Sequence, residues 1–252
     1  MTMGQLNGRV VAVTGANRGI GKAIAKGVAA AGAAVAVMGR TSGSDVEGEL
    51  TIERTVREIA DAGGTAVAVR CDVVDRASVD AAVATTNAQL GPIDVLVNNA
   101  GILSRATLLE TTPEVWDAIL RTNLDGVFFA TMAVLPGMIE RKRGAIVNIS
   151  SSRGYSDDPQ SAAYGASKAG LDRLTIKLAA ELKDMGVAVN SLQPGLTMTE
   201  VMAERNPDLL AMSPKWAEEK NIIPAIVWLA AQEGNVLSGR VLDEKEFGQT
   251  WP

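Results

Sequence analysis

Short β-branched runs alternate with longer helical stretches along the whole chain, and that rhythm constrains the fold more than any other feature. The runs at 10–14, 34–38, 66–71, 95–98, 145–150 and 187–192 are bounded by Gly, Asn, Asp or Ser and read as strands. Between them the pattern predicts helices over 21–31, 51–62, 78–90, 113–140 and 162–184. A last helix over 224–232 and a strand near 240–242 complete the series. Pro113 suits a first helical turn, with Thr112 as N-cap and Glu114 at the positive end of the dipole. Strands joined by helices must run parallel, and the crossovers cover both faces of the sheet. The composition agrees, because 47% of residues are hydrophobic but only 4% aromatic, so the core is built from Ala, Val, Leu and Ile. No linker, repeat or low-complexity stretch divides the chain. The expectation is an α/β fold, a doubly wound parallel sheet in a single domain over 1–252. Residues 41–50 are long for a connection and glycine-rich, which predicts a mobile loop.

Charge and cysteine content exclude several classes. A net charge of −5 argues against a general nucleic-acid binder. The single cysteine, Cys71, excludes an intrachain disulfide and fits a reducing compartment. It ends an apolar run and reads as a buried structural thiol, not a nucleophile. The N-terminus has no apolar leader, and the apolar stretch 28–38 is too short to cross a bilayer. A soluble, cytoplasmic protein without membrane attachment is expected. No metal-ligand pattern stands out, so no metal is expected.

Two segments carry chemistry. The first is Thr14-Gly15-Ala16-Asn17-Arg18-Gly19-Ile20-Gly21, between the first strand and the first helix. Its glycines allow a tight turn and close approach of a pyrophosphate, and the helix N-terminus offers N–H groups and a positive dipole end. The second is SSRGYSDDPQSAAYGASK over 151–168, where Tyr164 precedes Lys168 by four residues. That spacing puts both on one face of a helix, and an ammonium beside a phenol favours the phenolate. With no histidine in the chain, Tyr164 leads the candidates for proton transfer. The other tyrosine, Tyr155, has Pro159 at the equivalent place and reads as loop.

The G-x-x-x-G-x-G spacing of TGANRGIG resembles the classical short-chain dehydrogenase/reductase (SDR) family, and further motifs follow in order. Asn98-Asn99-Ala100-Gly101 resembles the family's NNAG segment, and Asn123 falls at its helix asparagine. Ser151 precedes Tyr164 by 13 residues, and Pro194-Gly195 matches the turn after the sixth strand. The resemblance runs from residue 14 to about 199 and implies a Rossmann fold and an oxidoreductase acting between C=O and CH–OH groups. It implies that Tyr164 gives a proton to a carbonyl oxygen as hydride arrives from nicotinamide. Ser151 would hold the same oxygen. Lys168 would lower the phenol's pKa and bind the nicotinamide ribose. Asn123 would hold a water that links Lys168 to solvent. Ser150 and Ser152 read as strand-end hydrogen bonding, and Asn98 as a brace of the sheet.

The same resemblance places the cofactor against Gly15, Asn17, Arg18, Gly19, Ile20 and Gly21, then Arg40 and Thr41, Asp72 and Val73, and Asn99, Ala100 and Gly101. Tyr164, Lys168, Pro194, Gly195, Thr197 and Thr199 complete the set. Asp72 would accept from the adenine amino group, or else be a loop carboxylate. Gly39 stands where an acid would bind the ribose hydroxyls and repel a 2′-phosphate. Arg18 and Arg40 suit a phosphate geometrically. NADP(H) is therefore expected, with NAD(H) as second choice; Asp45, Glu47 and Glu49 in the next loop are the counter-indication.

The substrate, a small ketone or secondary alcohol, should lie between 102–107, 152–161 and a lid near 196–220 that holds Met198, Met202, Leu209, Leu210, Met212 and Trp216. Asp157-Asp158 reads as a solvated turn. A carrier-protein substrate would want Arg105, Arg121, Arg141, Lys142 and Arg143 to converge. The ending SGRVLDEKEFGQTWP departs from the family's common glycine pair, and Phe247 and Trp251 are candidates to line the pocket or an interface. Relatives of this kind commonly form homotetramers or dimers through the helices at 113–140 and 162–184, the second rich in alanine.

Overall fold

The computed structural model describes residues 4–40, 50–195, 197–198, 217–232 and 236–251. The loop expected to be mobile and most of the expected lid lie outside them, as do Thr41 and Thr199.

The first half alternates without interruption: β1 (Val10–Thr14), α1 (Gly19–Ala30), β2 (Ala34–Gly39), α2 (Ile52–Asp61), β3 (Thr65–Arg70), α3 (Arg76–Leu90) and β4 (Val95–Asn98). Then follow α4 (Pro113–Leu120), α5 (Gly126–Glu140), β5 (Gly144–Ile149), α6 (Ala162–Glu181) and β6 (Val187–Gln193). The chain closes with the short pair β7 (Thr197–Met198) and β8 (Ala217–Glu218), then α7 (Ile223–Ala230) and β9 (Val241–Asp243). The expected elements are all present, displaced by a few residues at their ends. Thr51 illustrates the displacement: expected inside α2, it caps it, accepting from Arg54 N at 3.2 Å. Thr112 and Pro113 stand at the cap and first turn of α4 as expected.

Seven strands form one parallel sheet in the order β3-β2-β1-β4-β5-β6-β9. Alternation along each strand divides the core into two layers. Val11, Val13, Val35, Val37, Val95 and Val97 pack with α1 and α7 on one face. Val10, Ala12, Ala36, Leu96 and Ile146 pack with α3 and α5 on the other. The strand order reverses between β1 and β4, so their C-terminal ends open a crevice where such sheets take ligands.

The stretch expected as one helix over 113–140 is continuous but not uniform. A π-turn at Arg121–Asp125 joins α4 to α5 and carries the buried Asn123. Among the described residues this stretch alone is long and apolar enough to cross a membrane, with a mean hydropathy of 1.3 in its richest window. Its buried residues Val127, Ala130, Val134, Leu135 and Met138 pack into the protein, as in a core helix.

Candidate active site

The glycine turn is built by its neighbours. Gly15 and Gly19 have φ of 64° and 54°, the left-handed region that glycine enters without strain. A Cβ on Gly15 would sit 3.0 Å from Ala100 Cα, and one on Gly21 would overlap Asn99 Nδ2. Thr14 Oγ1 accepts from Asn99 N at 3.0 Å and Ala100 N at 3.1 Å. Asn99 Nδ2 returns the contact, donating to Thr14 O at 2.9 Å and Gly15 O at 3.2 Å. The ends of β1 and β4 are thus clamped where the turn needs a fixed shape. Asn17 donates to Leu50 O at 2.9 Å and ties the turn to the start of α2.

Arg18 and Arg40 are both exposed, one at the N-cap of α1 and one directly after β2. Gly39 between them is crowded, since a Cβ there would lie 2.8 Å from Ile52 Cγ2. At the end of β3, Asp72 accepts from Val74 N at 3.2 Å, an Asx-type turn that uses one carboxylate oxygen. Val73 is buried beside it. Cys71 is 3% exposed, and burial, helped by the charge of Asp72, pushes its thiol up to about 12. It is inert, as expected.

Ser151, Tyr164 and Lys168 come together beyond the C-terminal end of β5, and Asn123 reaches α6 through Ser167. Tyr164 and Lys168 share one face of α6, and the Lys168 Nζ lies 5.6 Å from the centre of the tyrosine ring. Burial holds the Tyr164 phenol above its ordinary range; the Ser151 hydroxyl and the charge of Arg153 pull the other way. The Lys168 Nζ donates to Ile149 O at 2.7 Å, and burial lowers its pKa to about 8 against the pull of Asp172.

Asn123 is fully buried and fully engaged: it donates to Ile102 O and to Ser167 Oγ, both at 3.0 Å, and accepts from Ile102 N at 2.9 Å. Ser167 passes the link to Tyr164 O at 2.7 Å. The Asn123 side chain therefore locks the π-turn to the segment after β4 and to α6. Ser161, which precedes α6, has φ of 66°, and its N–H donates to Ala106 O at 3.0 Å. Beyond β6, Gly195 has φ of 67°, and Thr197 Oγ1 donates to Pro194 O at 2.8 Å.

Residues 9–210 match the sequence profile of the family described as short chain dehydrogenase. The chain belongs to the short-chain dehydrogenase family. As a member it is an NAD(P)-dependent oxidoreductase acting on CH–OH and C=O groups. It is 36% identical over 252 residues to the 3-oxoacyl-[acyl-carrier-protein] reductase of Synechocystis, covering 95% of this chain and all of that one. It is 36% identical over 245 residues to the gluconate 5-dehydrogenase of Gluconobacter oxydans, covering 94% and 93%. The gluconate 5-dehydrogenase of Burkholderia cenocepacia, crystallised with NADP and tartrate, superposes with a TM-score of 0.82 at 34% identity and 94% coverage of each chain.

Several expectations about this short-chain dehydrogenase change with its structure. Asn98 braces the sheet as expected, donating to Asn148 Oδ1 at 2.9 Å. Asn99, expected beside the cofactor, directs its amide at the glycine turn. Ser150 N donates to Leu192 O at 2.8 Å, but its buried hydroxyl has no hydrogen-bond partner. Arg141 and Arg143 do not join Arg105 and Arg121: they flank Asp94, at the opposite edge of the sheet. Phe247 and Trp251 pack against Trp228 of α7 at 6.5 and 5.7 Å between ring centres, which pins the tail to the core. Asp157 and Asp158 are exposed, as expected of a solvated turn, and Asp158 also pairs with Arg153 at 2.7 Å. Thr14, Ser167 and Asp172 were not foreseen. Thr14 adjoins the glycine motif and could have been read from it; the other two show only once α6 is packed.

Proposed function

We propose that this short-chain dehydrogenase is an NADPH-dependent carbonyl reductase, reversible as an alcohol dehydrogenase, with Tyr164 as acid and base. The observation that carries this reading is the grouping of the Ser151 hydroxyl, the Tyr164 phenol and the buried Lys168 ammonium at the crevice edge. A phenol held protonated through the neutral range is a donor for a carbonyl oxygen that becomes an alkoxide. Ser151 stabilises the charge developing on that oxygen. A bound nicotinamide supplies the hydride. The ribose hydroxyls suit Lys168, and Asn123 fixes the π-turn beside it. The glycine turn and α1 receive the pyrophosphate, and Ala100, Gly101 and Thr197 border the same crevice.

Arg18 and Arg40, both free of an acidic neighbour at Gly39, favour NADP(H) over NAD(H). Nothing in the donor set disagrees with a 2′-phosphate there. An NAD-linked alcohol dehydrogenase is the runner-up, and a cofactor-binding protein without turnover is a distant third. Among substrates, a small polar carbonyl such as a polyhydroxy acid is favoured over a carrier-bound acyl chain. Arg105 and Arg153 both act on Asp158 near Tyr164, whereas Arg141 and Arg143 are spent on Asp94. Cytoplasmic residence, one functional domain and a lid near 196–220 belong to the same reading, as does self-association through α5 and α6.

Fluorescence titration with NADPH and NADH tests the cofactor, and Tyr164→Phe tests the chemistry. The expected outcome is tighter NADPH binding, and a Tyr164→Phe enzyme that binds NADPH normally with turnover lowered by at least about a hundredfold. Retained turnover in that variant would remove Tyr164 from its role. Preferred binding of NADH would select the runner-up, and binding of neither would select the third.

A further inference from the structure

Positions 164, 168 and 172 form one stripe along α6, each one helical turn from the next. The first two are the proposed acid and its ammonium. The third, Asp172, is fully buried, and neither of its carboxylate oxygens has a hydrogen-bond partner among the described residues. A buried carboxylate without hydrogen bonds is costly unless an opposite charge compensates it. The cation one turn away is Lys168, itself only 5% exposed. Side chains at this spacing are neighbours on a helix. No salt bridge at contact distance forms, because the Lys168 Nζ is drawn toward Ile149 O.

Among the described residues, the Tyr155 phenol is the one other group that offers compensation. From α6 itself the titratable neighbours are Tyr164 and Lys168. From the 3-10 turn at Ser152–Gly154 and the residue after it come Arg153, already paired with Asp158, and Tyr155. Gly154 lets that turn approach α6, since a Cβ there would lie 2.9 Å from Ala169 N. Tyr155 then lies beside Asp172. Burial holds its phenol up, and the Asp172 charge and a close approach of the phenol to that carboxylate add to this, although the contact falls short of strict hydrogen-bonding geometry. Strands β5 and β6 carry no charged residue, while Glu114 and Asp117 of α4 and Arg121 and Asp125 of the π-turn are exposed.

We propose that Asp172 is a positioning residue of this site, the buried counter-charge that keeps Lys168 an ammonium within reach of Tyr164 and the dinucleotide ribose. It touches neither substrate nor cofactor and acts through Lys168. The proposal rests on the reading of Tyr164 and Lys168 as a proton-transfer pair, so its test has one arm independent of turnover.

In that arm, thermal melts of the full chain compare wild type, Asp172→Asn, Lys168→Met and the double variant. Asp172→Asn is expected to lower the Tm of the wild type and to raise that of Lys168→Met, where the carboxylate has lost its cation. Equal losses in both backgrounds, including failure of both to fold, would mean that Asp172 only fills space and would overturn the proposal. The second arm is the pH dependence of kcat for NADPH-dependent reduction. Asp172→Asn is expected to move the alkaline limb about one pH unit toward acid, and Asp172→Glu to restore it. A folded Asp172→Asn enzyme with an unmoved limb also overturns the proposal. If the wild type reduces no carbonyl compound, the functional reading fails, and the melts still decide whether the two charges are coupled.

Discussion

At the scale of single residues, the end of β2 is where the proposed cofactor preference can be tested. In the proposed reading Gly39 stands where an acid would bind ribose hydroxyls, yet Ile52 leaves no room for a side chain on it. Arg40, one residue later, is exposed. Arg40→Asp is therefore expected to shift the ratio of NADH to NADPH affinity by at least tenfold toward NADH with an unchanged Tm. Gly39→Asp is expected to destabilise the fold by about 1–3 kcal/mol through overpacking, whatever it does to preference. Parallel titrations and melts of the two variants check this. An Arg40→Asp protein with its original preference would show that the 2′-phosphate is held elsewhere. The sequence placed Gly39 correctly and suggested its role. It could not show that the glycine is enforced by a neighbour 13 residues on.

At the scale of elements, α1 and α2 are joined by one carboxylate. Glu58 of α2 contacts Lys22 at 2.8 Å and Lys26 at 2.7 Å on α1, and Arg54 at 3.3 Å on its own helix. Burial alone would raise its pKa, but the two lysines bring it down to about 2 from 4.5. A carboxylate whose folded pKa lies below its unfolded value stabilises the fold above the unfolded value and loses that contribution as pH falls through the folded one. Glu58→Gln is thus expected to cost about 1 kcal/mol at pH 7. The deficit should shrink between pH 4.5 and about 2, in thermal melts run across that range. A deficit independent of pH would mean that packing, not charge, joins the helices. The pairing is invisible in the sequence, because the lysines and Glu58 lie more than thirty residues apart and meet only once β2 has returned the chain.

At the scale of the whole molecule, α5 and α6 leave apolar side chains outside. Phe128 is 48% exposed, Met132 42% and Ile176 38%. Such residues on long helices suit burial against a second copy. Phe128→Glu is expected to shift the sedimentation coefficient of the protein from an assembly to a monomer. A wild type that already sediments as a monomer would withdraw the self-association reading. The aromatic cluster of Trp228, Phe247 and Trp251 has the opposite fate. Trp251 donates its Nε1 to Asp243 O at 3.1 Å and is only 7% exposed, so the unusual tail completes the core behind α7.

What the sequence determined by itself was whatever depends on local period and local chemistry. Strands buried on both faces must be continuously apolar, helices must repeat near 3.6 residues, and a turn over phosphate needs glycine. The parallel sheet follows from those short-range rules, whereas the family, and with it the expected grouping of Ser151, Tyr164 and Lys168, came from the resemblance carried by ordered motifs such as TGANRGIG. The tertiary structure alone decided where polar groups spend their hydrogen bonds. Asn123 is committed to Ile102 and Ser167, Asn99 to the glycine turn, and Lys168 to Ile149 O beside an unbonded Asp172. A side chain bonds whichever partner packing brings within about 3 Å, and those partners come from segments far away in sequence.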